Sequence, residues 1–434
     1  MHTLADLRAG KLAGIKRLNL SCNLTDFPRE IFELADSLEV LNLSGNALSS
    51  LPEDLHRLHR LQVLFASDNQ FSELPPCLGH CEQLRIVGFK ANQIEHVPAQ
   101  ALPPRLRWLI LTDNRLSSLP DELGRRPQLQ KLMLAGNRLR SLPATLGACH
   151  ELELIRIAAN RLEALPDWLL RLPALAWLAY ADNPLCATRI DRPIRPISWQ
   201  TLTLGQRLGE GASGVIQQGI WQTGEKAHNV AIKLYKGEVT SDGSPLNEMA
   251  ACIAAGEHPQ LIKVLGQITD HPEGRQGLVM ELIAPRFLNL AGPPSLESCT
   301  RDVYDPAVRL TLPTLLRMAE GIASVTAHLH AQGITHGDLY AHNILWQDDG
   351  RCLLGDFGAA SFHPAPPQGA ALERIETRAF GILLGELLVR CDAQLGDKGV
   401  LEQLLRLQGR CTQVDAAQRP PMGEVHAALR AWTA

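Results

Sequence analysis

The chain has 434 residues, of which 45% are apolar and 20% charged, and its formal net charge at pH 7 is -4. This composition supports sizeable buried cores and excludes a disordered chain, while the slight negative charge argues against a basic surface for nucleic acid or membrane. The ten cysteines are scattered without a secreted-type framework, and we expect neither a signal peptide nor a membrane-spanning helix. These features predict a cytoplasmic protein with more than one domain.

The N-terminal half is predicted to be a repeat array, because asparagines recur there every 22 or 23 residues. Each asparagine closes a shared frame, as in Leu38-x-x-Leu41-x-Leu43-x-x-Asn46. A single unit of this length cannot bury its leucines alone, so stacked neighbours must share one continuous core. The recurring asparagines are Asn23, Asn46, Asn69, Asn92, Asn114, Asn137, Asn160 and Asn183.

Each repeat is predicted to contain one short strand, because Leu41 and Leu43 alternate inward while their neighbours point outward. The asparagine turns the chain away from the strand, where its side chain can bond backbone groups that the turn leaves free. The pattern resembles the leucine-rich repeat family over residues 1–188. This resemblance implies an α/β solenoid of about eight repeats of 23 residues.

The outward-facing strand positions are unusually apolar for exposed residues, and contiguous exposed apolar surface usually marks an interface. We therefore predict a concave face that binds a protein substrate or regulator, or contacts this chain's own second domain. The alternative is that array packing or a dimer covers some of these side chains. The predicted partner surface consists of Val40, Val63, Phe65, Ile86, Trp108, Ile110, Met133, Leu154 and Trp177.

A linker is predicted at residues 189–198, where two prolines and three arginines follow the last repeat. After it comes Gly209-Glu-Gly211-Ala-Ser-Gly214-Val215, whose glycines let a backbone approach phosphates closely. This pattern alone also fits a dinucleotide-binding turn or any flexible loop. Strand-like segments flank it on both sides, which favours a hairpin flap over a strand-to-helix turn.

An apolar strand ends in the motif Val230-Ala-Ile-Lys233. A lysine at this position is costly to bury unless it finds an anion. Glu248, in the helix-like stretch Asn247–Ala255, is the expected partner. The alternative is a surface lysine that extends into water beside a solvated glutamate.

Two further motifs supply a proton acceptor and two oxygen ligands: His336-Gly-Asp338-Leu-Tyr-Ala-His-Asn343 and Asp356-Phe-Gly. Mg²⁺ prefers such hard oxygen donors together with substrate phosphates. In this order the motifs resemble the protein kinase family across residues 199–434. The resemblance implies an α+β bilobal domain, with an N-lobe at about 199–283 and a C-lobe at about 284–434, that uses ATP and Mg²⁺.

The resemblance also implies a role for each residue of the motifs. Asp338 would accept or orient the proton of the substrate hydroxyl, and Lys233, oriented by Glu248, would hold the α- and β-phosphates. Asn343 and Asp356 would ligate Mg²⁺. The residues that would surround the nucleotide are Gly209, Gly211, Gly214, Val215, Ala231, Met280, Glu281 and Ile283. His336 is expected to support the Asp356-Phe-Gly turn rather than act as a base.

Several departures from the kinase pattern bear on function. Gly337 replaces the arginine that normally pairs with a phosphate on the activation loop, so control by such phosphorylation is not expected. Tyr340 and His342 match the signature of neither serine/threonine nor tyrosine kinases. No Ala-Pro-Glu follows Asp356, and only 20 residues separate it from Glu376, which is expected to open the next core helix.

The segment Leu288–Asp305 is expected to be an insertion after the hinge of the kinase fold. Its hydroxyl side chains are predicted to be exposed candidate phosphorylation sites. These residues are Ser295, Ser298, Thr300 and Tyr304.

The sequence as a whole predicts an ATP-dependent protein kinase that transfers the γ-phosphate to protein hydroxyls, with serine or threonine favoured over tyrosine and with autophosphorylation included. The repeats would bind a partner or regulate the kinase domain. One alternative is a catalytically silent scaffold for protein–protein interaction. Another is a small-molecule phosphotransferase that resembles the aminoglycoside or choline phosphotransferases.

Overall fold

A computed structural model describes residues 2–186, 192–237, 239–240, 242–392 and 398–433. The internal contacts divide the chain into two compact units. The first unit comprises Met1–Ala174 with Asn183–Leu185, and the second comprises Leu175–Asp182 with Cys186–Ala434. The domain boundaries expected at residues 188 and 199 stay predictions.

Short parallel strands recur once per repeat in the first unit. They are β1 (Arg17–Asn19), β2 (Val40–Asn42), β3 (Val63–Phe65), β4 (Ile86–Gly88), β5 (Trp108–Ile110), β6 (Lys131–Met133) and β7 (Leu154–Arg156). Neighbouring strands pair in equivalent register, so that Leu41 is aligned with Leu18 on one side and with Leu64 on the other. Leu41 and Leu43 are fully buried, which confirms the predicted inward alternation. A short helix, α1 (Leu4–Arg8), precedes β1.

The return segments of the repeats are single 3-10 turns. They are Arg29–Leu34, Glu53–Arg57, Pro76–His80, Ala99–Ala101, Asp121–Arg125, Ala144–Ala148 and Leu169–Arg171. A proline directly precedes all of these turns except that at Leu169, because an extended residue with fixed φ and no N–H suits the entry to a turn.

Seven of the eight repeat asparagines, from Asn46 to Asn183, bond the backbone as the sequence predicts, whereas Asn23 is exposed. Asn160 is typical: its Oδ1 accepts from the Leu139 amide at 3.0 Å, and its Nδ2 donates to the carbonyl oxygens of Leu134 at 2.9 Å and Ile157 at 3.1 Å. Asn137 makes equivalent contacts one repeat earlier. These buried amides therefore satisfy backbone groups of two consecutive repeats at once.

The second unit begins with a strand that carries the eighth repeat frame, β8 (Trp177–Ala179), and continues with a mixed sheet. The strands of that sheet are β9 (Pro196–Ser198), β10 (Leu202–Glu210), β11 (Gly214–Thr223), β12 (Lys226–Tyr235), β13 (Val264–Thr269) and β14 (Gly277–Glu281). Their order is β10-β11-β12-β14-β13-β9, in which only β9 runs parallel to its neighbour. Helix α2 (Pro245–Ala255) follows β12.

The predicted linker is wrong in its last part. Residues 189–191 lie outside the described residues, but Pro196–Ser198 forms the edge strand β9. The Gln267 amide donates to the Arg195 carbonyl oxygen at 2.9 Å, and Ile197 is buried in the sheet core. The prolines mask this strand in the sequence, although proline is tolerated at the start of an edge strand.

The remainder of the second unit is mainly helical. Its helices are α3 (Leu312–Ala331), α4 (Gln368–Val389), α5 (Lys398–Cys411) and α6 (Met422–Thr433). Its short strands are β15 (Leu288–Asn289), β16 (Ile334–Thr335), β17 (Ile344–Trp346), β18 (Cys352–Leu354) and β19 (Ser361–Phe362). β17 pairs antiparallel with β15 and β18, and β16 pairs with β19. Over the described ranges, the chain forms no helix that combines the length and apolar character needed to cross a bilayer.

Glu376 lies inside α4 rather than at its start, which corrects the sequence-based expectation. The helix begins at Gln368, directly after Pro366 and Pro367. The stretch between Gly358 and the helix is therefore even shorter than predicted.

Candidate active site

The predicted ion pair between Lys233 and Glu248 is present. Along β12, Val230, Ile232 and Leu234 face one core cluster, so the alternate positions, including Lys233, face the opposite side, where α2 lies. The Lys233 Nζ atom bonds the Glu248 carboxylate, and the two side chains are only 13% and 2% exposed. The alternative of a surface lysine beside a solvated glutamate is wrong.

The electrostatics of this pair keep the lysine protonated. Burial opposes the charge of Lys233, but the negative charges of Glu248 and Asp356 outweigh it, so that the pKa of Lys233 lies above its ordinary value. Asp356, the carboxylate of the Asp-Phe-Gly turn, lines the same space as the strand lysine. A buried cation between two carboxylates is suited to hold a phosphate.

Two cavities share Lys233 and Asp356 in their walls. One is lined also by Glu248, Met280 and Phe357. The other is lined by the glycine-rich connection, with Gly211 and Gly214, and by Gly358. The glycine-rich connection, the strand lysine and the Asp-Phe-Gly turn therefore enclose one cleft. The first two of these elements are the ones predicted to bind phosphates, and the third is predicted to ligate Mg²⁺.

Gly214 belongs to β11, and its backbone approaches β12 closely. A Cβ atom at this position would lie 2.5 Å from the Leu234 carbonyl oxygen, so no larger residue fits without displacement of the strand. Gly209 lies at the end of β10, in the ladder with Ile216 of β11. The predicted hairpin flap is thus the structure that this motif adopts.

The other residues predicted around the nucleotide lie on paired strands or just beyond them. Ala231 is buried and is aligned with Met280 in the β12–β14 ladder, and Val215 is half-buried on β11. Glu281 ends β14, and its amide donates to the Lys263 carbonyl oxygen at 2.9 Å. Ile283 follows in the connection to the helical part and is half-buried. The Glu281 amide is thus engaged within the protein.

Asp338 is held within a compact network of the loop that follows β16. Its amide donates to the His336 Nδ1 atom at 3.3 Å, and the Asn343 Nδ2 atom donates to the Asp338 carbonyl oxygen at 2.9 Å and to its Oδ2 atom at 2.8 Å. The spacing of five residues in the sequence thus becomes a direct contact between Asp338 and Asn343. This contact fixes the orientation of the Asp338 carboxylate.

His336 supports the Asp-Phe-Gly turn, as expected. Its Nε2 atom donates to the Gly355 carbonyl oxygen at 2.9 Å, and its ring packs against Phe357 with centroids 5.2 Å apart. Asp356 has a φ of 53°, and its Oδ1 atom accepts from the Gly358 amide at 3.1 Å. A residue in this strained left-handed region needs support from its surroundings, which His336 provides.

Glu376 of α4 anchors the same loop through hydrogen bonds. Its carboxylate is buried and accepts from the amides of His336 at 3.1 Å and Gly337 at 2.7 Å, and from the His330 ring at 2.8 Å. Burial raises the pKa of Glu376, but these hydrogen bonds and the neighbouring histidine charges outweigh it and place the pKa below its ordinary value. The loop is therefore anchored to a charged carboxylate.

Asp302 is a site residue that sequence reasoning missed. Its side chain is fully buried and accepts from the His342 amide at 2.9 Å and from the His342 Nδ1 atom at 2.7 Å. The other ring nitrogen of His342 lies 4.0 Å from the Asp338 Oδ2 atom. Burial lowers the pKa of His342, but Asp302 outweighs burial and raises it above its ordinary value. The one indication in the sequence is His342, which matches the signature of neither kinase class. Asp302 itself lies in the expected insertion, where the sequence predicts no role for it.

The prediction of exposed phosphorylation sites in that insertion is wrong for Thr300 and Tyr304, which are buried. The Tyr304 hydroxyl donates to the Glu386 carboxylate of α4 at 2.9 Å. Ser298 is half-buried and donates to the Arg301 carbonyl oxygen at 2.6 Å. Ser295 is exposed, as expected. The segment packs against α4 instead of projecting into solvent.

The predicted partner surface is only partly exposed. Its buried members are Val63, Ile86, Leu154 and Trp177, so the prediction that these four are exposed is wrong. Its half-buried members are Val40, Phe65, Trp108, Ile110 and Met133. Adjacent strands lie so close that long side chains on neighbouring strands cover each other. The Trp108 Nε1 atom is 3.2 Å from the Met133 sulfur, and the Lys131 ammonium group lies over the Trp108 ring. Packing within the array thus accounts for part of the apolar columns.

The residues present fit a nucleotide with a divalent cation. Asp356 and Asn343 offer hard oxygen donors, and Lys233 offers a buried positive charge at the same cleft. Because Asn343 donates through Nδ2, its metal ligand would be Oδ1. The Gly355 amide, one residue before Asp356, bonds the Asn343 carbonyl oxygen at 2.9 Å, so the two ligands lie on directly connected loops.

Comparisons with known proteins agree with this architecture. Residues 202–368 match the family model described as protein tyrosine and serine/threonine kinase, and residues 12–71 and 104–162 match the leucine rich repeat. The chain therefore has an N-terminal leucine-rich repeat array and a C-terminal protein kinase domain.

Similar curated proteins are kinases of both acceptor classes. The Activated Cdc42 kinase-like protein of Drosophila melanogaster is 30% identical over 43% of this chain and 13% of its own length. A tyrosine-protein kinase of Spongilla lacustris is 28% identical over 44% of this chain and 54% of its length. A probable serine/threonine-protein kinase of Dictyostelium discoideum is 29% identical over 39% and 21%. The chain thus matches at most about half the length of these relatives.

Proposed function

We propose that the protein is an ATP-dependent protein kinase that transfers the γ-phosphate to protein hydroxyls. The observation that carries this proposal is the shared cleft of Lys233, Asp356 and the glycine-rich connection, with Asp338 on an adjoining loop. A catalytically silent scaffold has no need for a buried, ion-paired lysine and an oriented aspartate in such a cleft. The similarity to kinases supports the same conclusion.

In the proposed reaction the protein supplies position and charge. Lys233 binds phosphate oxygens, and Glu248 keeps its ammonium group directed into the cleft. Asp338, oriented by Asn343, accepts the proton of the acceptor hydroxyl as the oxygen attacks. Asn343 and Asp356 would hold Mg²⁺, which would supply positive charge to neutralise the phosphates. His342, beside Asp338, contributes a donor near the reacting oxygens.

Serine and threonine hydroxyls are the proposed acceptors, and autophosphorylation is the first activity to measure. Tyrosine is the alternative, since the relatives include kinases of both kinds. The repeat array is proposed to bind the protein substrate or a regulator. A bound substrate would have a raised local concentration at the kinase domain, which would offset a poorly developed peptide site after the Asp-Phe-Gly turn.

The decisive experiment incubates the full chain with labelled ATP and Mg²⁺, alone and with panels of proteins and of small alcohols. We expect label on protein, and we expect Asp338→Asn to reduce it at least about 1,000-fold because the proton acceptor is lost. Asp348→Asn, in an exposed turn, is the matched control and should label normally.

Three outcomes contradict the proposal. ATP binding without any turnover would identify a scaffold, and label on small alcohols alone would identify a small-molecule phosphotransferase. Undiminished labelling by Asp338→Asn would show that the catalytic aspartate is wrongly assigned.

A further inference from the structure

The segment Leu175–Asp182, hereafter the repeat-end segment, has the sequence frame of a repeat but packs in the second unit. It contains β8, and residues Ala176 through Ala181 are each at most 4% exposed. Such complete burial of six consecutive residues, on both faces of a strand, is typical of a strand inside a core. The repeat-end segment is therefore part of the structure around the kinase site.

Trp177 contacts the two residues that directly follow the proposed catalytic Asp338. Its indole Nε1 atom donates to the Leu339 carbonyl oxygen at 3.1 Å. Its ring stacks on Tyr340 with centroids 4.1 Å apart and an interplanar angle of 8°. A buried indole N–H requires an acceptor, and a parallel stack restrains both rings, so Trp177 fixes the course of the loop just after Asp338.

Tyr180 holds the chain that follows the Asp-Phe-Gly turn. Its backbone amide donates to the Ser361 Oγ atom at 3.1 Å. Its hydroxyl donates to the Phe362 carbonyl oxygen at 3.4 Å. Ser361 and Phe362 form β19, which pairs with β16 immediately before the Asp338 loop. One tyrosine thus secures the second chain segment that borders the cleft.

The repeat-end segment also explains Gly337, the residue found in place of the usual arginine. Gly337 has a φ of +74°, and a Cβ atom there would lie 2.8 Å from the Leu178 carbonyl oxygen and 2.5 Å from that of Ala359. A side chain at this position is excluded by the positive φ, by the Ala359 carbonyl group and by the backbone of the repeat-end segment, which lies directly against the loop. The repeat-end segment is therefore one of the reasons why this position requires glycine.

A fourth contact reaches the helix that carries Glu248. The Ser244 hydroxyl donates to the Asp182 Oδ2 atom at 2.5 Å, and the same Ser244 Oγ atom accepts from the Asn247 amide as the N-cap of α2. The repeat-end segment therefore contacts the loop of Asp338, the chain after Asp356 and the start of α2. The first and the third of these elements carry Asp338 and Glu248, and the second follows the turn that carries Asp356.

We propose that the repeat-end segment is a built-in part of the catalytic centre, in which Trp177 is a positioning residue for the Asp338 loop. This inference rests on the proposed kinase function and adds a requirement to it: phosphate transfer depends on residues 175–182 as well as on the motifs beyond residue 199. The short chain between Gly358 and α4 is held by this segment rather than by a longer loop of its own.

The test uses the full chain with Trp177→Ala and Trp177→Phe. We expect Trp177→Ala to lower kcat at least about 30-fold while the Kd for Mg²⁺-ATP changes less than about twofold, because a small displacement of the catalytic loop slows transfer without removal of phosphate contacts. Trp177→Phe keeps the stack on Tyr340 and loses only the indole donor, so kcat should recover to within about fivefold of the wild type.

Trp199→Ala is the matched control. It removes the same kind of side chain from the same unit, where Trp199 lies at a tilted angle against the His271 ring and packs against the sheet core. We expect its kcat to stay within about twofold of the wild type, since neither partner borders the cleft. A loss of kcat in this control equal to that in Trp177→Ala would overturn the inference.

Hydrogen–deuterium exchange of the same variants separates failure of this inference from failure of the proposed function. Trp177→Ala should increase exchange in peptides that cover residues 337–343 and 359–362, whereas Trp199→Ala should leave them protected. If the wild type transfers no phosphate, the kinase proposal fails while the exchange result still tests the positioning role. Unchanged exchange in Trp177→Ala, or an increase spread evenly over the second unit, would contradict that role.

Discussion

The first unit repeats one set of local hydrogen bonds along the chain, whereas the second unit builds its candidate active site from residues that are distant in the sequence. In the repeats, each buried asparagine bonds backbone groups of its own turn and of the adjacent repeats, and Asn69, Asn114 and Asn160 do so in nearly the same way. In the second unit, the loop of Asp338 is held by Trp177, Asp302 and Glu376, which come from three distant parts of the chain and each make a different set of contacts. Periodicity therefore reveals the first unit, while the second depends on contacts that no spacing encodes.

The largest expected effect tests the assembled site. Lys233→Met keeps much of the side-chain volume but removes the charge that faces Glu248 and Asp356, so we expect kcat/KM to fall at least about 100-fold. The measurement is phosphate transfer at saturating and limiting ATP.

Lys263→Met is the control for that substitution. Lys263 pairs with Glu257 on the surface, where both side chains are well exposed, and the change should leave kcat/KM within about twofold. Equal loss in the two variants would show that Lys233 has no special role.

A smaller effect tests the repeated contacts of the first unit. Asn160→Ala leaves the buried Leu139 amide without an acceptor and removes one of two donors from each of the Leu134 and Ile157 carbonyl oxygens, which keep the side-chain amides of Asn137 and Asn183. The free energy of unfolding of the array should therefore fall by about 3 kcal/mol. The measurement is the first unfolding transition in a denaturant titration.

Asn19→Ala, at an exposed position of β1, should change the same transition by less than about 0.5 kcal/mol. A comparable loss at both positions would mean that the buried asparagine contacts do not dominate. Retained activity of Asn160→Ala would further sharpen the contrast between the two units.

The smallest expected effect concerns a long-range contact away from the cleft. Burial raises the pKa of Glu386 to about 7, and the negative charge of Asp302 adds to this increase. The hydrogen bond from Tyr304 and the positive charges of Arg301 and Arg390 oppose it. The folded state then keeps a proton that the unfolded state releases, so stability falls as pH rises from about 4.5 to about 7. Glu386→Gln should remove this decline and gain about 2 kcal/mol relative to the wild type across that window.

Denaturation midpoints at about pH 5 and about pH 8 measure this difference. Glu402→Gln, at an exposed position of α5, should follow the wild-type pH dependence. A wild type whose midpoint is independent of pH in this range, or rises with it, would contradict the account of Glu386.

The sequence predicts the residues of the cleft better than the residues that support it. Lys233, Asn343 and Asp356 belong to motifs that resemble those of protein kinases in a fixed order, and Glu248 lies in the helix-like stretch where the partner of the lysine is expected. Asp302 could not be predicted, since a buried aspartate in an expected insertion has the same local sequence as an exposed one.

The predicted linker and the predicted exposure of the partner surface are each wrong in part, for a related reason. Whether Ile197 or Trp177 is buried depends on which distant strand or loop lies over it, and hydrophobic spacing does not carry that information. Trp177 has the same repeat position as Trp108, yet it is buried against Tyr340 while Trp108 is half-buried beside Met133. Equal positions in a repeat thus acquire different roles from their surroundings.

A crystal structure of the full chain with Mg²⁺ and a non-hydrolysable ATP analogue tests the central claim most directly. We predict that Lys233 contacts the phosphates, that Asn343 and Asp356 share the metal ion, and that the Asp338 carboxylate faces the γ-phosphate across the cleft. A nucleotide bound elsewhere, or a cleft that excludes it under saturating conditions, would contradict the account.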